Sequence, residues 1–322
     1  MTMRALRATR GFRLCDKLIR LVFRRKSPSL RRSLFGLEFK NPVGLAAGID
    51  KNGDTYNELS RFGFSFIEIW SLTPEPQEGN PKPRLFRLPK DRAVINRMGI
   101  NNKGVAKAID NIKANPPKCI LCASIAKNTS SAADSDVVED YKKAFSHLYD
   151  FVDMFTLNVS CPNVEGLRNL QDVSYLSDLV DPLLDLRVCY DTYKPILIKV
   201  SPDLDHDELN EILNYCMLSG IDGIVAGNTT ISRGGLKTKP SKVQRIGKGG
   251  LSGSPLFNKS LELVRYIHQY TKGRLPIVGV GGIMGPEEAK AMLEAGASLI
   301  EICTGFIYEG PSVVKRILKS LK

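Results

Sequence analysis

Eight times between residue 43 and the C-terminus, a short apolar run gives way to a stretch with helical periodicity. The runs fall at 43–45, 65–70, 119–125, 153–159, 195–200, 223–226, 276–280 and 299–304. Helical stretches lie near 54–62, 102–114, 136–149, 174–187, 206–219, 258–271, 286–295 and 311–321. Eight strand–helix alternations in one chain argue for the α/β class and, within it, a (β/α)8 TIM barrel. At 322 residues the length would allow two domains, but a barrel of this size is commonly one, and no interior linker divides it. The expected organisation is a catalytic barrel over 33–322 preceded by a helical segment over 1–32. No apolar run approaches the roughly 20 residues that a membrane-spanning helix needs.

The N-terminal segment differs in charge from everything after it. The chain carries a net charge of +12. Residues 1–32 hold eleven basic side chains against one acid, Asp16, and so account for ten of those charges. The body is nearly neutral, which leaves nucleic acid without a broad basic surface to bind. Over 4–25 the spacing predicts a basic amphipathic helix, with Arg13, Lys17, Arg20 and Arg24 on one face and Leu14, Leu18, Leu21 and Val22 opposite. Such a helix suits docking on an anionic membrane surface. A mitochondrial-type presequence and a surface helix packed on the body are the other readings. The seven cysteines are odd in number and lack metal spacing, and the three histidines, His147, His206 and His268, are far apart in sequence. No disulfide framework, metal site or Ser-His-Asp triad is therefore expected, and a reducing compartment is.

Polar residues collect just after the expected strands: Lys51, Asn96, Asn128, Asn158, Cys161, Asn163, Lys199, Asn228 and Thr229. In a barrel, positions after the strands share one rim. The stretch 155–171 is the densest, an apolar strand that breaks at Cys161-Pro162 into a polar loop. Each amide offers both a donor and an acceptor, which suits the alternating edge of a pyrimidine or flavin ring. The small residues of 41–48 would let a flat ligand approach the backbone. The long stretch 73–101 reads as a loop, and loops of that length inside a compact fold are usually functional. Near the C-terminus, Gly281-Gly282 and Cys303-Thr304-Gly305 each precede a helix. Paired turns after the seventh and eighth strands are the usual barrel phosphate site. A phosphate grip, a ring-reading set of amides and one thiol suggest an enzyme that uses flavin mononucleotide (FMN).

From about Ser33 onward the chain resembles the class 2, quinone-dependent dihydroorotate dehydrogenases. The matching motifs are NPVGLAAGIDKNG, TPEPQEGNPKPRLFRLP, INRMGINN, NVSCPNVEGLRNLQ, IKVSPDL, NTTISR, GGLSGSPL and GVGGI. The resemblance implies oxidation of dihydroorotate to orotate in pyrimidine biosynthesis. A base at Cys161 would take the proton from C5 while a hydride leaves C6 for the flavin, with Lys51 and Lys199 completing the catalytic set. Substrate-binding positions carried over are Lys51, Asn96, Arg97, Met98, Gly99, Ile100, Asn158, Asn163, Asn228 and Thr229. FMN-binding positions are Ala46, Ala47, Gly48, Ser71, Asn128, Asn158, Lys199, Gly227, Gly253, Gly282, Cys303 and Thr304. The loop 164–171 would close over the substrate.

Several positions depart from that family pattern. Cys161 stands where class 2 enzymes carry Ser, Trp70 where they have Gly, and Ser124 and Ala126 where they have Asn and Gly. Gly227 replaces Thr and Cys303 replaces Tyr. Trp70 brings a large ring into space that normally holds close backbone–flavin contact. The N-terminal extension is short, so fumarate stands beside quinone as an expected acceptor. The expected location is peripheral on the cytoplasmic face of the inner or cell membrane, or on the mitochondrial inner membrane. A reading of a different class is a flavin-poor, non-catalytic barrel that binds orotate-like ligands or acts as a scaffold.

Overall fold

Alternate residues of each apolar run face opposite ways, and this divides the protein into an inner and an outer core. The computed structural model describes residues 3–25, 27–131, 133–160 and 173–322. The expected site residues Cys161 and Asn163 and the loop 164–171 lie outside the described residues. The strands are β1 (Arg32–Leu34), β2 (Leu37–Phe39), β3 (Val43–Leu45), β4 (Phe66–Leu72), β5 (Leu85–Leu88), β6 (Ala93–Asn96), β7 (Ile120–Ile125), β8 (Met154–Asn158), β9 (Ile196–Val200), β10 (Gly223–Ala226), β11 (Gly250–Gly253), β12 (Ile277–Val280) and β13 (Leu299–Ile302). Strands β3, β4, β7, β8, β9, β10, β12 and β13 close in that order into a parallel barrel. They are the eight runs expected from the sequence.

Inside the barrel, Phe66, Met154, Leu197, Val225, Val278 and Leu299 meet in one cluster. Their sequence neighbours Ile67, Phe155, Ile198, Ile224, Ile277 and Ile300 join the cluster beneath the outer helices. The barrel is closed at the N-terminal ends of its strands by two rings. Phe39, at the end of the β1–β2 hairpin, meets Phe66 edge to face at 5.4 Å. Phe66 stands opposite Gly44 in the parallel register. A Cβ on Gly44 would lie 2.2 Å from the Phe66 ring, so only glycine leaves room for this plug.

The helices are α1 (Met3–Ala8), α2 (Arg13–Phe23), α3 (Tyr56–Ser60), α4 (Gly104–Ala114), α5 (Asp134–Leu148), α6 (Val173–Val188), α7 (His206–Ser219), α8 (Pro240–Ile246), α9 (Phe257–Thr271), α10 (Pro286–Glu294), α11 (Thr304–Glu309) and α12 (Val313–Ser320). Local chemistry sets their ends. In α7, Asp205 accepts the Glu208 N–H at 2.9 Å and Glu208 accepts the Asp205 N–H at 3.0 Å, a reciprocal capping box.

Two expectations are corrected. The stretch 73–101 is not a plain loop: β5 and β6 lie within it and pair antiparallel with each other and with β11. Each strand has four residues, and Pro89 opens a 3-10 turn between β5 and β6, so no periodic run announces them. The single helix expected over 4–25 is two helices, interrupted at 9–12, where Gly11 takes φ 85°. Leu6 is buried under α1, while Arg10 Nε lies 2.9 Å from Glu58 and Arg7 2.7 Å from Asp54. On α2, Phe23 meets Phe62 at 5.3 Å. The opposite side of α2 leaves Leu14 70%, Leu18 52%, Leu21 77% and Val22 51% exposed, an apolar strip with no cover among the described residues.

Gly44→Ala is expected to destabilise the barrel by about 1–3 kcal/mol through overpacking against Phe66. Adding Phe66→Leu should recover part of that loss. Denaturant unfolding of both variants checks this, and strictly additive losses would contradict the plug.

Candidate active site

The barrel strands carry their polar residues to one end, where a cavity of about 570 Å³ opens. Asn158 closes β8 and sits in register with Lys199 of β9. The Asn158 Nδ2 donates to Ser71 Oγ at 2.6 Å, and its Oδ1 lies 3.5 Å from Asn228 Nδ2. Asn228 Nδ2 also donates to Ser160 Oγ at 2.9 Å, and Asn228 Oδ1 accepts the Thr229 N–H at 2.8 Å. Ser71 Oγ lies 2.9 Å from Ser124 Oγ. Ser124, one of the departures from the family pattern, therefore anchors a chain of hydrogen bonds that fixes the orientation of two amides.

Charge lies deeper in the same wall. Lys199 Nζ is 3.3 Å from Glu68 Oε1, with both residues buried. Glu301, on β13, is buried beside them. Burial, and then the neighbouring Glu68, push the Glu301 carboxyl well above the ordinary range, with Lys199 pulling against them. Both effects favour the protonated form of Glu301, and its Oε2 has no hydrogen-bond partner among the described residues. For Lys199, burial alone would lower the pKa; the fields of Glu68 and Glu301 outweigh it and raise the value, so the ammonium is held firmly. Burial, followed by the Glu68 charge, raises the Cys122 thiol. Burial pushes Cys303 up to about 11, against the pull of Lys199 and Lys51. Both thiols are neutral and inert as bases at pH 7.

Lys51 is placed by the loop after β3. Asp50 is buried and accepts the N–H groups of Asp54 at 3.0 Å and Thr55 at 2.8 Å, folding that loop around itself. Burial pushes its carboxyl up to about 6, and these hydrogen bonds oppose the rise. The Asp50 carbonyl accepts the Trp70 N–H at 2.8 Å. The β4–β7 register shifts between Ile69 and Leu72, and an irregularity of this kind re-aims a side chain. The Trp70 ring lies under the Lys51 ammonium at 3.5 Å and stands 3.0 Å from where a Cβ on Gly48 would be. Trp70 thus packs along the cavity wall as the platform for Lys51. Its Nε1 is buried without a partner among the described residues.

Sixteen of the expected positions line this one cavity: Ala46, Ala47, Gly48, Lys51, Ser71, Asn96, Met98, Asn158, Lys199, Gly227, Asn228, Thr229, Gly253, Gly282, Cys303 and Thr304. Four others are not in its wall. Arg97 donates to the Ile246 carbonyl, and its guanidinium lies 4.7 Å over the Phe86 ring. The Gly99 and Ile100 carbonyls accept from Gln77 Nε2 at 3.3 Å and 3.0 Å. Asn128 holds the backbone of Glu75 through both its amide atoms, at 3.1 Å and 3.0 Å. Sequence reasoning missed Glu68 and Glu301, although a lone acid inside an apolar strand, FIEIW or LIEIC, was a readable signal. It also missed an apolar arm of the cavity, formed by Met3 and Leu6 of α1 with Leu59, Phe62 and Phe306.

The described residues contain no cluster of acids, histidines or cysteines suited to a metal ion. They fit a flat, phosphate-bearing cofactor. Gly281 and Gly282 take φ 122° and 71° at the cavity edge, a conformation that favours glycine. The orphaned Trp70 Nε1 and Glu301 Oε2 belong to residues of the same wall.

The model of the family described as Dihydroorotate dehydrogenase matches residues 29–322. The chain is 47% identical over 295 residues to a "Dihydroorotate dehydrogenase (quinone)" of Christiangramia forsetii, covering 92% of this chain and 85% of the relative. It is 42% identical over 313 residues to a protein of the same name from Acinetobacter baumannii, covering 96% and 92%. Among solved structures, it superposes on DHODH in complex with ferulenol from Eimeria tenella with a TM-score of 0.86 at 31% identity, covering 96% of this chain and 90% of that one.

The raised Glu301 carboxyl makes stability depend on pH. Its folded pKa lies above the ordinary 4.5, so its contribution is complete below that value and is lost as pH climbs towards the raised one. Glu301→Gln removes the titration, with Glu68, Lys199, Cys122 and Cys303 left in place around it. The variant's thermal midpoint is expected to gain on that of the wild type as pH rises above the ordinary carboxyl range. A difference that does not change with pH would contradict the assignment.

Proposed function

The chain belongs to the dihydroorotate dehydrogenase family, and on that premise we propose that it oxidises dihydroorotate to orotate in pyrimidine biosynthesis and delivers the electrons to a quinone. The observation that carries this reading is the meeting of Lys51, Asn96, Asn158, Asn228 and Thr229 with a buried Lys199 in a single cavity. Lys51 supplies positive charge for the substrate carboxylate. The amides, held by Ser71 and Ser160, read the donors and acceptors of the pyrimidine ring. Cys161 follows Ser160 directly in sequence, and as a thiolate it takes the proton from C5.

FMN is the cofactor the cavity suits, held by Ala46, Ala47, Gly48, Gly253, Gly282 and Thr304 with Lys199 towards the pyrimidine edge. Bound there, it supplies the two-electron acceptor for the hydride that leaves C6. Lys199 offers a fixed positive charge that favours the reduced cofactor, and the adjacent Glu68 keeps it an ammonium.

The apolar side chains of Met3, Leu6, Phe62 and Phe306 favour a quinone over fumarate, since they offer an apolar ring a surface to bury against. The segment 1–32 serves as the membrane-facing part and 33–322 as the catalytic barrel. Met3 and Leu6 of that segment build the arm, and α2 beside it exposes its apolar strip. No helix among the described residues is long and apolar enough to cross a membrane, so the seat is peripheral.

Orotate formation with a short-chain ubiquinone or with fumarate as the sole acceptor tests this reading. Turnover with quinone is expected to be the faster. The wild-type rate should rise with pH to a plateau near a thiol pKa of about 8.5. Cys161→Ser should lower kcat near neutral pH by roughly 10²–10⁴ and leave a rate that keeps rising with pH. Equal pH profiles for the two proteins would remove Cys161 from the role of base.

A further inference from the structure

A second cleft, of about 270 Å³, lies where α2 ends and the chain crosses to the starts of β3, β4 and β7. Six cationic side chains line it: Arg20, Arg24, Arg25, Arg31, Lys40 and Lys118. No carboxylate does. Asp16, the one acid of the N-terminal segment, is shared by Arg20 and Arg61, each at 2.9 Å. The other five cations make no ion pair among the described residues. Like charges gathered without a counter-charge repel, and a bound anion relieves that repulsion.

The cleft also holds polar atoms that have no partner among the described residues. Ser27 is 5% exposed, and its Oγ has no hydrogen-bond partner among the described residues. The same is true of Arg25 Nε, which is buried in the same wall. Burial pushes the Cys119 thiol at this cleft up to about 12, against the charges of Lys40 and Arg20, which reach it from different parts of the chain. Guanidinium forks, two ammonium groups and a hydroxyl around one small space are the donors that a phosphate group takes up, through charge-assisted and often bidentate bonds.

The surroundings favour one source of phosphate. Arg20 and Arg24 belong to or adjoin the helix whose other side exposes Leu14, Leu18, Leu21 and Val22. A membrane that accepts that strip would bring its headgroups to the level of the cleft. We propose that this cleft binds the phosphate of an anionic phospholipid headgroup. The lipid source rests on the membrane seat proposed above; the preference for phosphate rests on the cleft alone.

The test uses the full-length, FMN-loaded protein and a short-chain phosphatidylglycerol kept below its micelle concentration. Calorimetric titration should show saturable binding of this lipid and none of the matching phosphatidylcholine. Lys40→Gln with Lys118→Gln should weaken binding by about tenfold or more. Arg13→Gln with Lys17→Gln removes the same charge outside the cleft and should change binding less than about twofold. Equal weakening by both pairs, or by neither, overturns the cleft as a site. Inorganic phosphate binding as tightly as the lipid overturns the lipid source. Sedimentation of Leu18→Ser with Leu21→Ser on vesicles tests the membrane seat separately: undiminished binding there would remove the lipid source, and with it the proposal as stated, while the titration still reports whether the cleft takes phosphate.

Discussion

A single ammonium held in the dry interior of the barrel organises the catalytic end of this protein. Lys199 lies 3.3 Å from Glu68, and both are buried. A buried ion pair of this kind adds little net stability, because desolvating the two charges offsets their attraction. Packed apolar side chains would hold the strands at least as well. What the pair provides is a positive charge fixed at the floor of a cavity, and Glu301 fits that reading. Burial and the Glu68 charge push its carboxyl well above the ordinary range, so it resists becoming a second negative charge beside the pair.

The rest of the catalytic end follows from that floor. Asn158 stands next to Lys199 across the β8–β9 ladder, and its amide is turned by Ser71. Ser71 in turn leans on Ser124. Trp70, which could have filled the cavity, lies along the wall beneath Lys51. The two lysines therefore sit on different supports, one on a carboxylate and one on an indole. The cavity then leaves this polar end and runs into an arm lined by Met3, Leu6 and Phe62, so the N-terminal segment is part of the site.

The barrel was legible in the sequence because each of its strands is an apolar run bounded by turn residues. The sheet of β5, β6 and β11 was not, because four-residue strands around a proline turn carry no period. The amides and Lys51 were legible because they follow strands, and the ends of parallel strands share a rim. The partners of Arg97 and Asn128 were not: each side chain donates to a backbone carbonyl far away in sequence, Ile246 and Glu75. The apolar arm depended on where α1 docks, which is set by Arg7 and Arg10 meeting Asp54 and Glu58 some fifty residues away in sequence. No local pattern encodes that contact. It also gives the N-terminal segment two faces, one turned into the site and one turned outward along α2.

A flavin held in this cavity would take up the electrons of dihydroorotate and lose its visible colour on reduction. The most direct test is the visible absorbance of the purified protein, recorded without oxygen before and after dihydroorotate is added. Flavin bands that bleach in proportion to the protein present are the predicted result. A protein that stays colourless after incubation with FMN, or whose bound flavin does not bleach, would contradict the account and leave a barrel that binds its ligand without oxidising it.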